Sequence, residues 1–235
     1  RIMKRLAVVL LFFPGVAIAQ TRHELWVKLA LNHQFDQKWS AGVEVQHRRQ
    51  ANYKNGDKDL LRYPLGNFAR VWLNYRLPRK WILTLSPVGY FNNEDILSAD
   101  GKLRHTPEIR ISPGIIKSFD IMGVKNKNRL LYDARFMRPG TAGYFFQSRL
   151  RLQNSFTRRI VPLKNKNELG VELYNEILLK KDFHGAGFDQ DRVYNGLLWE
   201  GRRTVIDLGC QWVIQKSAGI VFHRHQLFAA VTITI

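Results

Sequence analysis

From Gln20 onward, apolar residues recur at every second position instead of every third or fourth. Leu25, Val27 and Leu29, for example, alternate with Trp26 and Lys28. This alternation puts successive side chains on opposite faces of a β-strand, whereas an amphipathic helix repeats every 3.6 residues. Eleven segments of roughly ten residues show it, the length of a tilted membrane-spanning strand. The sequence therefore predicts an all-β chain with few residues left for helices.

The two faces of these segments differ in charge. One face is apolar and almost uncharged, and the other is rich in Arg and Glu. A closed barrel satisfies every backbone hydrogen bond inside a bilayer, so an uncharged outer face around a charged inner face suits a barrel in lipid. We predict an antiparallel up-and-down transmembrane β-barrel over residues 20–235. Because single-chain bacterial barrels have even strand numbers, we expect twelve strands, with ten as the next choice.

The polar face carries nearly equal numbers of basic and acidic side chains. Balanced charges in a narrow lumen predict a hydrogen-bonded ion-pair ladder, and an open selective pore is the alternative. The predicted lumen-facing network consists of Glu44, Arg48, Arg70, Arg76, Glu108, Arg110, Arg129, Asp133, Arg135, Arg149, Arg151, Glu168, Glu172, Glu176, Arg192 and Asp207.

Tryptophans lie beside the short connections between the segments. Trp39, Trp81 and Trp199 adjoin the connections at 36–38, 78–80 and 200–203. Tryptophan rings collect at membrane interfaces, so these three predict an interfacial aromatic girdle at one rim. The longer connections, at 50–64, 92–107 and 180–190, are rich in Asn, Asp, Gly and Lys and are predicted to be external loops.

Residues 1–19 have the features of an export signal. Arg1, Lys4 and Arg5 precede a short apolar run that ends at Ala17-Ile18-Ala19. This order of basic region, apolar core and small-x-small site predicts a cleaved signal peptide. Export makes nucleic acid an improbable partner, and a single cysteine excludes an internal disulfide framework. We expect an outer-membrane location.

The chain is strongly basic, with 37 Lys and Arg against 19 Asp and Glu and a net charge of +18. Since the inner face is nearly balanced, most of the excess falls in turns and loops. Basic rims bind lipid phosphates, so we expect contact with outer-membrane lipid and lipopolysaccharide. We also expect insertion by the barrel-assembly machinery as a monomer.

Catalytic and metal-binding signals are weak. The sequence has neither a G-x-S-x-G elbow nor an H-E-x-x-H motif. His223 and His225 form a pair without a third ligand, whereas a catalytic zinc needs three protein ligands, and we interpret them as loop surface. We predict no metal, no cofactor and no catalytic residue. The alternatives to a structural barrel or narrow channel are an outer-membrane lipid-modifying enzyme and a soluble periplasmic ligand-binding barrel.

Several short motifs, taken in order, resemble one known family. They are Trp26 with Glu44–Arg48, Glu108–Arg110, Arg149–Arg151, Glu172–Glu176 and Phe188–Leu197. In this respect the chain resembles the domain-of-unknown-function family 2490, outer-membrane barrels of Gram-negative bacteria. The resemblance implies an exported outer-membrane barrel and no particular activity.

Overall fold

Eleven β-strands form one closed barrel in the computed structural model. The structure describes residues 20–141, 143–163, 165, 167–183, 185–217 and 220–235, and the predicted signal peptide lies outside them. The strands are β1 (Gln20–Gln34), β2 (Trp39–Gln50), β3 (Tyr63–Leu77), β4 (Trp81–Ile96), β5 (Leu103–Ile121), β6 (Val124–Met137), β7 (Phe145–Pro162), β8 (Glu168–Asp182), β9 (Gly185–Glu200), β10 (Thr204–Ser217) and β11 (Ile220–Thr234). A 3-10 turn at Pro78–Lys80 precedes β4, and no helix of the described residues is long and apolar enough to cross a membrane.

The prediction of twelve strands, or ten, was wrong. Each strand pairs antiparallel with its sequence neighbour, but β1 and β11 pair in parallel, with Gln20 opposite Phe222 and Asn32 opposite Thr234. An up-and-down barrel with an odd number of strands closes only if its first and last strands run in the same direction. The eleven alternating segments therefore account for the whole barrel, which has one parallel seam.

The strands are longer than the alternation predicts, with 12 to 19 residues each. The connections at 51–62 and 97–102 are shorter than the predicted loops, and strand residues make up most of the third predicted loop, 180–190. Their Asn- and Lys-rich flanks are paired strand, as shown by Asp95 opposite Arg104 and Lys181 opposite Ala186. Polar composition there was mistaken for loop because these residues lie beyond the apolar part of each strand.

Successive residues of each strand point alternately outward and inward, as the two-residue alternation in the sequence predicts. Val27 and Leu29 point outward and remain 46% and 43% exposed, while Trp26, which precedes Val27, is buried in the interior. The same division continues around the barrel, so large apolar side chains form what we call the outer belt. Charged side chains fill the interior instead. The molecule is apolar outside and polar inside, the inverse of a water-soluble protein.

One polar cluster interrupts the outer belt. Asn128, Asn154 and Asn175 are cross-strand neighbours on β6, β7 and β8. Asn154 donates to Asn128, which donates to Asn126 at 2.9 Å, and Asn175 donates to Asp191 at 2.6 Å. Side-chain amides that bond to one another tolerate an apolar surface better than unpartnered ones.

The two ends of the barrel differ. At the turn end, short connections join the strands, and Asp36 accepts backbone N–H bonds from Lys38 and Trp39 at 2.6 and 2.7 Å. These bonds stabilise the carboxylate and lower the pKa of Asp36. At the loop end, the β2–β3 loop folds against the β4–β5 loop, where the buried Asn52 donates to the Ala99 carbonyl at 2.9 Å.

A tyrosine lies flat against the inner wall over two glycines. Gly196 and Gly209 are opposite each other on β9 and β10, and a Cβ on Gly196 would lie 2.1 Å from the Tyr194 hydroxyl. The Tyr194 ring stacks on Tyr174 with centroids 4.7 Å apart, and its hydroxyl donates to Asp207. The glycines thus provide the space that this ring occupies.

Gly196→Ala should displace Tyr194 and reduce the free energy of unfolding by about 1–3 kcal/mol, as overpacking typically does. Urea unfolding followed by tryptophan fluorescence measures the change. Gly187→Ala is the matched control on the same strand, since nothing lies within 4 Å of its Cβ position. Equal stability of the two variants would contradict the role assigned to Gly196.

Candidate functional site

A buried carboxylate, Asp133 of β6, is the centre of the interior charge network. Arg110, Arg149 and Arg151 approach one of its oxygens at 3.5, 3.2 and 3.7 Å. Ser112 donates to the other oxygen at 2.7 Å. Three strands, β5, β6 and β7, therefore converge on one fully buried charge.

Two glutamates extend this network in opposite directions. Glu108 accepts two bonds from Arg135 at 2.9 and 2.8 Å and one from Arg110 at 2.7 Å. Glu176 contacts Arg129, Arg151 and Arg192 at 3.1, 2.7 and 3.2 Å. Because Arg110 and Arg151 also contact Asp133, the pairs form one continuous chain from β5 to β9. We call it the central network.

A carboxylate that the sequence analysis assigned to a loop completes the central network. Asp189 belongs to β9 and lies 3.3 Å from Arg149. Its position in a polar run gave no indication of an interior location. Buried ionic pairs of this kind are tolerated only when their hydrogen bonds are satisfied, and the shared arginines satisfy several acids at once.

A second, separate pair spans the parallel seam. Arg224 of β11 donates to both oxygens of Glu24 of β1 at 2.6 and 2.8 Å. Gln226 and Trp26 donate to the same carboxylate at 2.7 and 2.9 Å. Glu24 is fully buried, so a charged, two-point contact holds the first strand to the last.

Three arginines face aromatic rings instead of carboxylates. The Arg48 guanidinium lies between Trp26 and Phe68, 3.4 and 3.9 Å from their ring centres. Arg70 lies 4.8 Å from the Phe91 ring, and Arg22 lies 4.0 Å from the Tyr53 ring. In the described part of the chain, no carboxylate lies within 4.0 Å of these guanidinium groups. Cation–π contact stabilises them without neutralising their charge.

The interior contains a cavity of about 430 Å³. Twelve basic and five acidic side chains line it, because several acids of the network lie behind their arginines. The acids on its wall are Glu44, Asp95, Glu172, Glu176 and Asp207. The surface of the cavity therefore carries an excess of positive charge, although basic and acidic side chains are closer to equal in number over the whole inner wall.

The predicted network residues fall into three groups in the structure. The first group forms the central network and comprises Glu108, Arg110, Arg129, Asp133, Arg135, Arg149, Arg151, Glu176 and Arg192. The second group lines the cavity but is not part of the central network, and it comprises Glu44, Arg48, Arg70, Glu172 and Asp207. The third group lies at the turn end, where Arg76 donates to Gln34 and Glu168 pairs with the exposed Arg159.

The predicted network omitted Glu24, Asp189 and Arg224, although the alternation had already placed Glu24 on the polar face. Glu24 and Arg224 lie on inward positions of β1 and β11, and the alternation of β1 was a usable signal for Glu24. The interpretation of His223 and His225 as loop surface was wrong, since both are strand residues of β11. The described residues include no group of three or more His, Cys, Asp or Glu side chains placed to hold a metal ion.

The predicted girdle tryptophans all lie at the turn end. Trp39 and Trp81 begin β2 and β4, and Trp199 is the penultimate residue of β9. Trp39 packs on Tyr75 with ring centroids 4.8 Å apart, and Trp81 lies 4.8 Å from the Lys117 ammonium. Trp39 and Trp81 are 47% and 38% exposed on the outer face.

Comparison with known proteins agrees with the resemblance drawn from the motifs. No curated protein and no solved structure matches the chain. A family model matches residues 23–221, from the start of β1 into β11. The chain belongs to the family described as Protein of unknown function (DUF2490).

Proposed function

We propose that the chain is an outer-membrane β-barrel that forms a narrow, charge-lined passage. The observation that carries the proposal is the inverted surface, with an apolar outer belt around an interior of buried arginines and carboxylates. A water-soluble barrel gains nothing by exposing Val27, Leu29 and their equivalents on every strand, whereas lipid contact stabilises them.

Aromatic side chains support a membrane position. Trp81 and Tyr90 are outward residues nine positions apart on β4. At about 3.3 Å per residue and a tilt of about 40°, they are separated by roughly 23 Å along the barrel axis, close to the ~25 Å apolar band of outer-membrane barrels. Tyr90 belongs to a row of cross-strand neighbours on the outer face, which also contains Ile109, Phe136 and Phe146. Two aromatic rims would thus lie at the two interfaces.

The predicted partners fit the same position. Basic residues of the turns, such as Arg79, Lys80, Arg202 and Arg203, lie just beyond the tryptophans at the turn end and would meet lipid phosphates. The barrel closes within one chain, which favours a monomer. Export by the signal peptide and insertion by the barrel-assembly machinery follow from this location, and lipopolysaccharide would surround the loop end.

Fractionation tests the location. We expect the protein in the outer-membrane fraction, with faster gel migration before boiling than after it, because a folded barrel stays compact in detergent. Planar-bilayer recording then tests the passage, where small discrete conductance steps are expected. Recovery in the soluble periplasm without a mobility shift would overturn the membrane proposal. If the protein is embedded in the membrane but shows no discrete conductance, the passage is excluded and a purely structural barrel is the remaining interpretation.

A further inference from the structure

We propose that the interior cavity binds a small oxyanion, of the phosphate or sulfate class, through Arg48 and Arg70. The inference deepens the proposed function and rests on it, because a solute must reach the cavity through the passage. It assigns the class of solute that the interior holds. Its basis is a buried cation, Arg70, and a half-buried one, Arg48, neither of which forms an ion pair within 4.0 Å in the described residues.

Arg70 is the clearest of these cations. It is only 8% exposed, lines the cavity, and its Nε has no hydrogen-bond partner in the described residues. Glu44 is its cross-strand neighbour, yet that carboxylate accepts its bond from Gln46 at 2.7 Å and no ion pair forms. A buried guanidinium whose neighbouring carboxylates lie beyond ion-pair distance is costly, so a bound anion would stabilise this arrangement.

Arg48 has a similar environment. Its hydrogen bonds, at 3.2 and 2.6 Å, go to the neutral side-chain oxygen of Gln46. The rings of Trp26 and Phe68 both pack against the guanidinium and restrict its movement. An arginine held rigidly in this way has lost its conformational entropy before a ligand arrives.

The two arginines line the same cavity and pack against neighbouring aromatic rings. Arg48 packs on Phe68, whose ring lies 5.1 Å from that of Phe91, and Arg70 faces the other ring. All four side chains line the same cavity, whose volume of about 430 Å³ admits a small solute. Guanidinium groups bind oxyanions through two parallel hydrogen bonds, a geometry that chloride cannot accept. The arginines face the cavity and not the outer belt, so the ligand is a free solute instead of a lipid headgroup.

Titration of the full-length folded protein in detergent micelles tests the site. Trp26 and Trp72 lie against Arg48 and Arg70, so intrinsic fluorescence should report binding. Inorganic phosphate, sulfate and chloride are compared at constant ionic strength, with calorimetry as a second readout. We expect saturable binding of phosphate and sulfate, and a loss of affinity of about tenfold or more in Arg70→Gln, equivalent to ~1.4 kcal/mol.

Arg76→Gln is the matched control, since Arg76 lies on the same strand but at the exposed turn end. Arg48→Gln provides a second variant, and gel mobility before boiling verifies that each variant is folded. Absence of saturable phosphate binding to the wild type, equal binding by chloride, or unchanged affinity in both Arg70→Gln and Arg48→Gln would overturn the site.

The site and the passage can fail separately. If phosphate binding depends on Arg70 but no bilayer conductance is found, the binding site is supported and the proposed passage is contradicted. If the Arg70→Gln variant and the wild type both conduct and respond equally to phosphate, the passage is supported and the binding site is contradicted.

Discussion

Asp133→Asn is expected to lower the free energy of unfolding by about 3–5 kcal/mol, the usual cost of breaking a buried ion pair from one side. The substitution preserves side-chain volume, so the loss is electrostatic. It leaves Arg110, Arg149 and Arg151 around a neutral amide that no longer offsets their mutual repulsion. Urea unfolding followed by fluorescence and by gel mobility measures the effect.

Asp120→Asn is the control for Asp133→Asn. Asp120 pairs with Lys80 at the turn end, and both side chains are more than half exposed, so its loss should change stability by at most about 1 kcal/mol. A double-mutant cycle with Arg149→Gln should show non-additive losses, because Arg149 contacts Asp133 at 3.2 Å and also Asp189 at 3.3 Å. Equal effects of Asp133→Asn and Asp120→Asn would show that the central network contributes no more than a surface pair.

Glu24→Gln should produce a loss of similar size, about 3–5 kcal/mol, but concentrated at the parallel seam. The variant removes the charge that Arg224 contacts at both oxygens and that Gln226 and Trp26 also bond. Parallel pairing is slightly weaker per residue than antiparallel pairing, so the seam depends more than other strand pairs on side-chain contacts. Hydrogen exchange by mass spectrometry should detect faster exchange in β1 and β11.

The position of the loss distinguishes a seam effect from general weakening. In Glu24→Gln, protection of β5–β7 should fall much less than protection of β1 and β11. Adding Arg224→Gln should restore part of the stability, since the unpartnered guanidinium is then gone. A uniform loss of protection around the barrel would contradict the assignment of Glu24 to the seam.

The faces of the barrel could be predicted from the sequence, but the pairs within it could not. The alternation of Leu25 and Val27 with Trp26 and Lys28 fixes which side chains share a face, because the period of a strand is two. Which acid meets which arginine depends on the register between strands, which a single sequence does not encode locally. Asp133 was therefore predicted as a member of the inner face but not as its centre.

The ends of the strands were the least predictable part. Asp189 and Arg224 lie in polar runs whose composition matches that of loops, yet backbone pairing includes Arg224 and continues on both sides of Asp189, which lies at a register shift. The prediction of the strand number was wrong for a different reason. Eleven segments were counted correctly, but the count was changed to an even number because bacterial barrels usually have one. The direction of the closing pair is a property of the whole chain and leaves no local signal.

The odd strand number restricts how this architecture can be re-engineered or have arisen. Because β1 and β11 begin at the same end, the barrel starts at the loop end and finishes at the turn end. A circular permutation would need a linker of about 50 Å, the length of a 15-residue strand, running through the arginine-filled lumen or along the outer belt. Duplication of hairpins adds strands in twos, so no series of such events converts an even barrel into this one. An even barrel reaches eleven strands only if an odd number of strands is also gained or lost.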